Sequence, residues 1–194
     1  MRRSNTAYVI GGGPSLAGFD FARLTGADKI GANKAAWIAA TEVFVTVDRN
    51  FHNQNLEAIG AFAGAAYVAV PDRIASLPNV TYWSHLPGTQ FSMKPGALAG
   101  SNSGFAALNL AFLLGYTEIA LLGFDFQWEG NRSHFHEGYT RQNKQTDRFL
   151  GQWAHAFDLV QPVLLAHGVR VTNFIGPRGS RVTAFPTRSL EELL

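Results

Sequence analysis

Ala7-Tyr8-Val9-Ile10-Gly11-Gly12-Gly13-Pro14-Ser15 decides the fold. An unbroken apolar run passes straight into glycines, a proline and a serine. Such a run, closed by turn residues, fits a strand buried on both faces. The glycines allow a sharp turn and let the backbone come close to a ligand. A helix expected from Ser15 to about Leu24 would turn free N–H groups, and the positive end of its dipole, toward a phosphate. The alternative is a tight turn that holds nothing. The stretch is not a P-loop, because no Gly-Lys-Ser/Thr follows. It is also an incomplete dinucleotide fingerprint: Gly11 and Gly13 fit, but Leu16 stands at the third glycine position.

Outward from this stretch, short apolar runs alternate with helical patterns. Residues 29–32, 43–47, 66–70, 80–83, 119–122 and 169–174 read as strands. Residues 33–40, 56–63, 147–167 and 189–194 read as helices. Another helix runs to Leu114, capped by Ser101 or Asn102 and closed by Gly115. It is apolar nearly all round, so it should be covered on most sides. Residues 84–100 read as a loop rich in Gly, Pro and Ser. The alternation predicts a single α/β domain over residues 1–194, Rossmann-like, with a mostly parallel sheet flanked by helices on both faces. Ligands of such sheets sit beyond the carboxyl ends of the strands.

Composition narrows the function. The chain has 194 residues, enough for one well-buried core. It has no cysteine, so disulfides and thiolate metal sites are excluded. A reducing, cytoplasmic setting is the expectation. The basic start has no long apolar stretch behind it, so neither a signal peptide nor a membrane span is expected. Net charge is +2 with 15% charged residues, too sparse for a nucleic-acid footprint.

The polar residues with chemical potential fall at the strand ends. Asn33 follows the second strand, where it could bind ribose or base, or only cap a helix. Asp48 ends the third strand and could hold hydrated Mg²⁺, or simply make a turn. Ser101, Asn102, Ser103 and Gly104 precede the apolar helix and offer a second phosphate or ribose contact. Asp125 ends the strand at 119–122. The polar stretch 127–144 is long enough for a lid or site element. Within it, His134 and His136 are candidate general bases. Zinc would need a third ligand that the sequence does not identify.

Together these segments are similar to a known pattern. Gly-Gly-Gly-Pro-Ser-Leu at 11–16, Ala-Asn-Lys at 32–34 and Val-Asp at 47–48 resemble the 6-hydroxymethylpterin diphosphokinase-like family and its domain of unknown function 115 relatives. Ser101–Gly104, residues 114–119 and Gly123-Phe124-Asp125-Phe126 resemble the sialyltransferases of glycosyltransferase family 42, as does Ser133-His134-Phe135. The chain departs from the sialyltransferases at Gly12, where their motif has Asn, and Tyr139 is the only candidate for their tyrosines that assist the departing phosphate. The resemblance implies a transferase using a nucleotide-sugar donor, a CMP-sugar first, with a histidine as base and no required cofactor. It also implies an alternative, a Mg²⁺-dependent diphosphokinase using Asp48 and Asp125. A nucleotide-binding module without turnover is the third expectation. Oligomerisation is compatible with each.

Overall fold

The computed structural model describes residues 3–137 and 144–193, with no side chain described at 144–146. The first strand, β1 (Thr6–Ile10), is followed by β2 (Asp28–Ala32), β3 (Val43–Thr46), β4 (Ala65–Val68) and β5 (Val80–Tyr82). A separate pair follows, β6 (Ser84–Leu86) and β7 (Ala97–Ala99). The last strands are β8 (Glu118–Leu122), β9 (Arg170–Ile175) and β10 (Thr187–Ser189). The main sheet has the order β10-β9-β8-β1-β2-β3-β4-β5. Its pairings among the described residues are all parallel.

The order reverses beside β1. From β1 the chain winds one way to β5, then returns to lay β8 against the other side of β1. Two neighbouring crossovers therefore leave in opposite directions and open a crevice at the ends of β1 and β8.

Helices cover both faces. On one face lie α4 (Ser103–Leu113) and α5 (Lys144–Ala166), packed on Val9, Ile30, Val45 and Leu121. On the other lie α1 (Lys34–Ile38), α2 (Arg49–Gln54) and α3 (Leu56–Gly60), packed on strand residues such as Ile10, Phe44, Val68 and Leu122. As expected, α4 is enclosed: Phe105, Leu108 and Leu110 are fully buried. Truncating one of them to Ala costs about 2–5 kcal/mol. Asn109 is also fully buried in this apolar helix. Its Oδ1 accepts from the Ser92 and Ala99 N–H groups, and its Nδ2 donates to Ser92 O. One helix side chain thus ties down the connection between β5 and α4.

Four expected elements differ. The helix expected from Ser15 is two short 3-10 turns, Pro14–Leu16 and Phe21–Leu24. Between them Gly18 takes φ 76°, which no helix accommodates. The loop at 84–100 contains the parallel pair β6 and β7. The polar segment after Asp48 forms α2, begun by the Asp48 side chain accepting from Phe51 N–H. The terminal helix expected at 189–194 is the end of β10 and a 3-10 turn, Leu190–Glu192, started by a Ser189–Glu192 capping box. None of the helices in the described residues is long and apolar enough to cross a membrane.

Candidate functional site

The crevice at the ends of β1 and β8 is a cleft of about 350 Å³. Gly11, Gly12 and Gly13 form its floor; Asn33 and Asp48 stand at the ends of β2 and β3; Ser101, Asn102, Ser103 and Gly104 bring in the start of α4. His134 and His136 close it from the stretch after β8. Eleven of the sequence candidates thus line this one cleft. Pro14, Ser15 and Asp125 are not on it.

Ser15 and Asp125 have another task. Asp125 is 1% exposed. It accepts from Ser15 N–H and from Ser15 Oγ, both at 2.7 Å. Burial pushes its carboxyl above the ordinary carboxylate range, against the two Ser15 bonds, which pull the other way. The protein's own carboxylate therefore occupies the N–H group that the sequence offered to a phosphate. The Gly11–Gly13 turn is locked onto β8 as well, by Gly11 N–H to Leu122 O and Gly13 N–H to Gly123 O, each 2.8 Å. A methyl group at Gly13 would lie 2.5 Å from Asp125 Oδ2 and 2.6 Å from Gly123 O. Glycine is needed here for the close approach of two backbones.

The other helix start at the cleft is that of α4. Asn102 is its N-cap, with Oδ1 accepting from Phe105 N–H at 2.9 Å. Val47 N–H donates to Ser103 Oγ at 3.1 Å, which fastens this helix start to β3. The first N–H groups of the helix, at Ser103 and Gly104, have no intrahelical acceptor, and the dipole favours a negative charge beside them.

Among the described residues, three buried polar atoms on the wall lack a hydrogen-bond partner: Asn33 Oδ1, Asn102 Nδ2 and Trp128 Nε1. Leaving a buried polar group unpaired costs about 1–3 kcal/mol. Asn33 is also held at φ 52°, in the left-handed region that non-glycine residues seldom enter. Strain at Asn33 and three of the unpaired buried atoms thus fall on this one wall. Among the described lining residues there is no Lys or Arg, and Asp48 is the single carboxylate. No group of three His, Cys, Asp or Glu among the described residues could hold a metal ion.

The histidine segment sits directly on the glycine turn. Phe135 N–H donates to Gly12 O at 2.8 Å. The Phe135 ring turns away, toward Phe21, at 5.9 Å between centroids. The His134 ring rests on Gly12 so closely that a methyl there would lie 2.3 Å from its Cδ2. Ser133 Oγ pairs with His134 Nδ1 at 2.8 Å. Burial, with the neighbouring His136, lowers the His134 pKa to about 3. His136 is lowered too, mainly by burial. Tyr139 lies outside the described residues.

Neutral buried imidazoles have a pH signature. The unfolded state takes up a proton near pH 6.5, whereas folded His134 resists until about pH 3. Their contribution to stability is therefore present above pH 6.5 and lost as pH falls through that window. Thermal unfolding between pH 7 and pH 5 should show the loss, and His134→Gln should reduce it without abolishing it, because His136 remains. Equal acid sensitivity in the variant would show that the ring is not held neutral by burial.

The sequence missed the other side of the cleft. Phe124, Phe126, Trp128, Phe149, Leu150 and Trp153 line it. Phe149 and Trp153 stand one helical turn apart on α5, a spacing that the sequence does carry.

The chain matches no family model, no curated protein and no solved structure.

Proposed function

We propose that the cleft binds a nucleotide-sugar carrying a single phosphate, a CMP-sugar, and that the protein transfers its sugar to an acceptor hydroxyl. The observation that carries this is the pair of unpaired buried amide atoms on one wall, an acceptor on Asn33 and a donor on Asn102. A nucleoside offers the complementary mixture of donors and acceptors. Charge narrows the class. The start of α4 supplies the equivalent of about half a positive charge, and no described lining residue adds a cation. That suits one phosphodiester better than a diphosphate or triphosphate.

In the reaction, the acceptor O–H proton passes to His134 Nε2. The acceptor oxygen bonds to the anomeric carbon, whose bond to phosphate breaks, and its electron pair leaves with CMP. For this role Nε2 must carry the lone pair, so Nδ1–H donates to Ser133 Oγ. The new charge on the departing phosphate is met by the Ser103 and Gly104 N–H groups. An imidazole with a pKa of about 3 is a weak base in the empty cleft. A phosphate bound beside it favours the imidazolium and raises that value.

CMP at about 100 times its dissociation constant should add roughly 2.7 kcal/mol of stability. For a domain of this size that is a melting shift of about 5–10 °C. Magnesium should make no difference. A shift that requires Mg²⁺ and ATP would instead support the diphosphokinase reading. The absence of any shift with CMP would remove the basis of the proposal. Binding without CMP release from a CMP-sugar would identify a binding module.

A further inference from the structure

The cleft has two chemically different ends. Asn33 and Asp48 lie beyond β2 and β3, on one side of β1. The six residues Phe124, Phe126, Trp128, Phe149, Leu150 and Trp153 follow β8 or begin α5, on the other side. The polar side-chain atoms in this set are the indole N–H groups of Trp128 and Trp153, and that of Trp128 is buried and unpartnered. Phe149 is 41% exposed although it is a large apolar residue. Its ring stacks on Trp153 with centroids 6.0 Å apart and planes 18° apart.

We infer that this end seats an uncharged aromatic ring bearing one hydrogen-bonding oxygen, a phenol in chemical class. Flat aromatic walls reward a flat aromatic guest, by offset stacking beyond simple area burial. A charged guest finds no counter-charge there. A sugar ring would bring several hydroxyls to an end whose side chains offer only two indole N–H donors and no acceptor, and each hydroxyl left unpaired forfeits its bonds to water. A single oxygen would satisfy the one N–H at this end that is buried and unpartnered, that of Trp128. Ser133 and His134 line the same cleft and lie along the chain between Trp128 and Phe149, the two halves of this end. Resting on the transferase reading above, the ring is the acceptor. Its phenolic O–H loses the proton to His134 Nε2 while the oxygen forms the new bond to the anomeric carbon and CMP leaves with the electron pair.

Calorimetric titration with 2-naphthol and with methyl β-glucopyranoside, each with and without CMP, tests the assignment on the full chain. Binding of 2-naphthol should be at least about ten-fold tighter than that of the glucoside. Trp128→Phe keeps the ring and removes the N–H, and should weaken 2-naphthol about 5–10-fold. Phe149→Ser, at an exposed position that folding does not depend on, should weaken it about 2–10-fold. CMP affinity should be unchanged in both. Equal or tighter binding of the glucoside, no 2-naphthol binding at millimolar concentration, or unaltered affinity in both variants would overturn the inference. Because CMP is titrated separately, loss of CMP binding alone removes the donor reading and leaves the aromatic subsite standing. Loss of 2-naphthol binding alone does the reverse.

Discussion

His134→Ala leaves the protein folded, CMP bound nearly as before, and sugar transfer slower by about 10²–10⁴-fold. Folding survives because the ring lies on top of Gly12 rather than inside either main layer of the core. Phe135 N–H to Gly12 O, a main-chain bond, still holds the segment. Binding survives because the groups assigned to the nucleotide belong to β2, β3 and α4. The rate falls because nothing else on the described wall repeats the arrangement of an imidazole set by a serine. His136 is near, at 5.4 Å between ring centroids, but its Nδ1 faces Glu137 O rather than a hydroxyl. Steady-state release of CMP from a CMP-sugar, with and without acceptor, measures the effect. An unchanged kcat in the variant would end the assignment of His134 as base.

Asp125→Ala acts on the scaffold instead. Two short bonds to a buried carboxylate disappear, and Ser15 N–H and Oγ lose that acceptor. Hydrogen bonds to charged groups contribute about 1.5–3 kcal/mol each, and relief of carboxylate burial offsets part of that. The net loss should be about 2–4 kcal/mol, read as a lower urea midpoint with unchanged slope. Asp125→Asn should cost less, because an amide can still accept from Ser15 N–H and donate to Ser15 Oγ. The raised pKa gives this pair a second signature. A carboxyl pushed up by burial contributes most below the ordinary carboxylate range and less as pH rises through its folded value. Asp125→Asn should remove that pH dependence. Wild-type stability in the Ala variant would show that the Ser15–Asp125 contact does not hold the turn.

Much of the scaffold is legible in the residues. β1, β3 and β8 are mostly apolar runs flanked by turn residues, and the sheet follows from such runs alternating with helices. The start of α4 is legible because Asn102 is followed by an apolar helix and Gly115 closes it. The failures have local causes. Residues 15–24 contain enough apolar residues for a helix, but Gly18 and the cap at Asp20 divide them. β6 and β7 are too short to show alternation, and their anchor, Asn109, lies inside a helix that reads as purely apolar. The cleft was half legible. Its glycines and its Asn, Ser and His residues mark themselves by type and by position after strands. The aromatic end did not, because an apolar residue on a helix looks the same whether it faces a core or a cavity. Ser15 and Asp125 were read as ligand contacts because each has the right type at a strand end, and nothing in the order of residues says that they satisfy one another.

That mutual contact joins residues 110 positions apart. Closing a loop of that length is an entropic expense met before the contact yields anything, and it rises slowly, as the logarithm of length. Topologies dominated by such distant pairings fold slowly for their stability. Here β1 cannot complete its pairing until β8 arrives, because strands β1 to β5 alone would leave β1 a naked edge. The glycine turn acquires its shape only when β8 delivers Asp125. Refolding and recovery of nucleotide binding should therefore proceed with one rate constant, with no early species that binds and no late species that is folded but empty-handed.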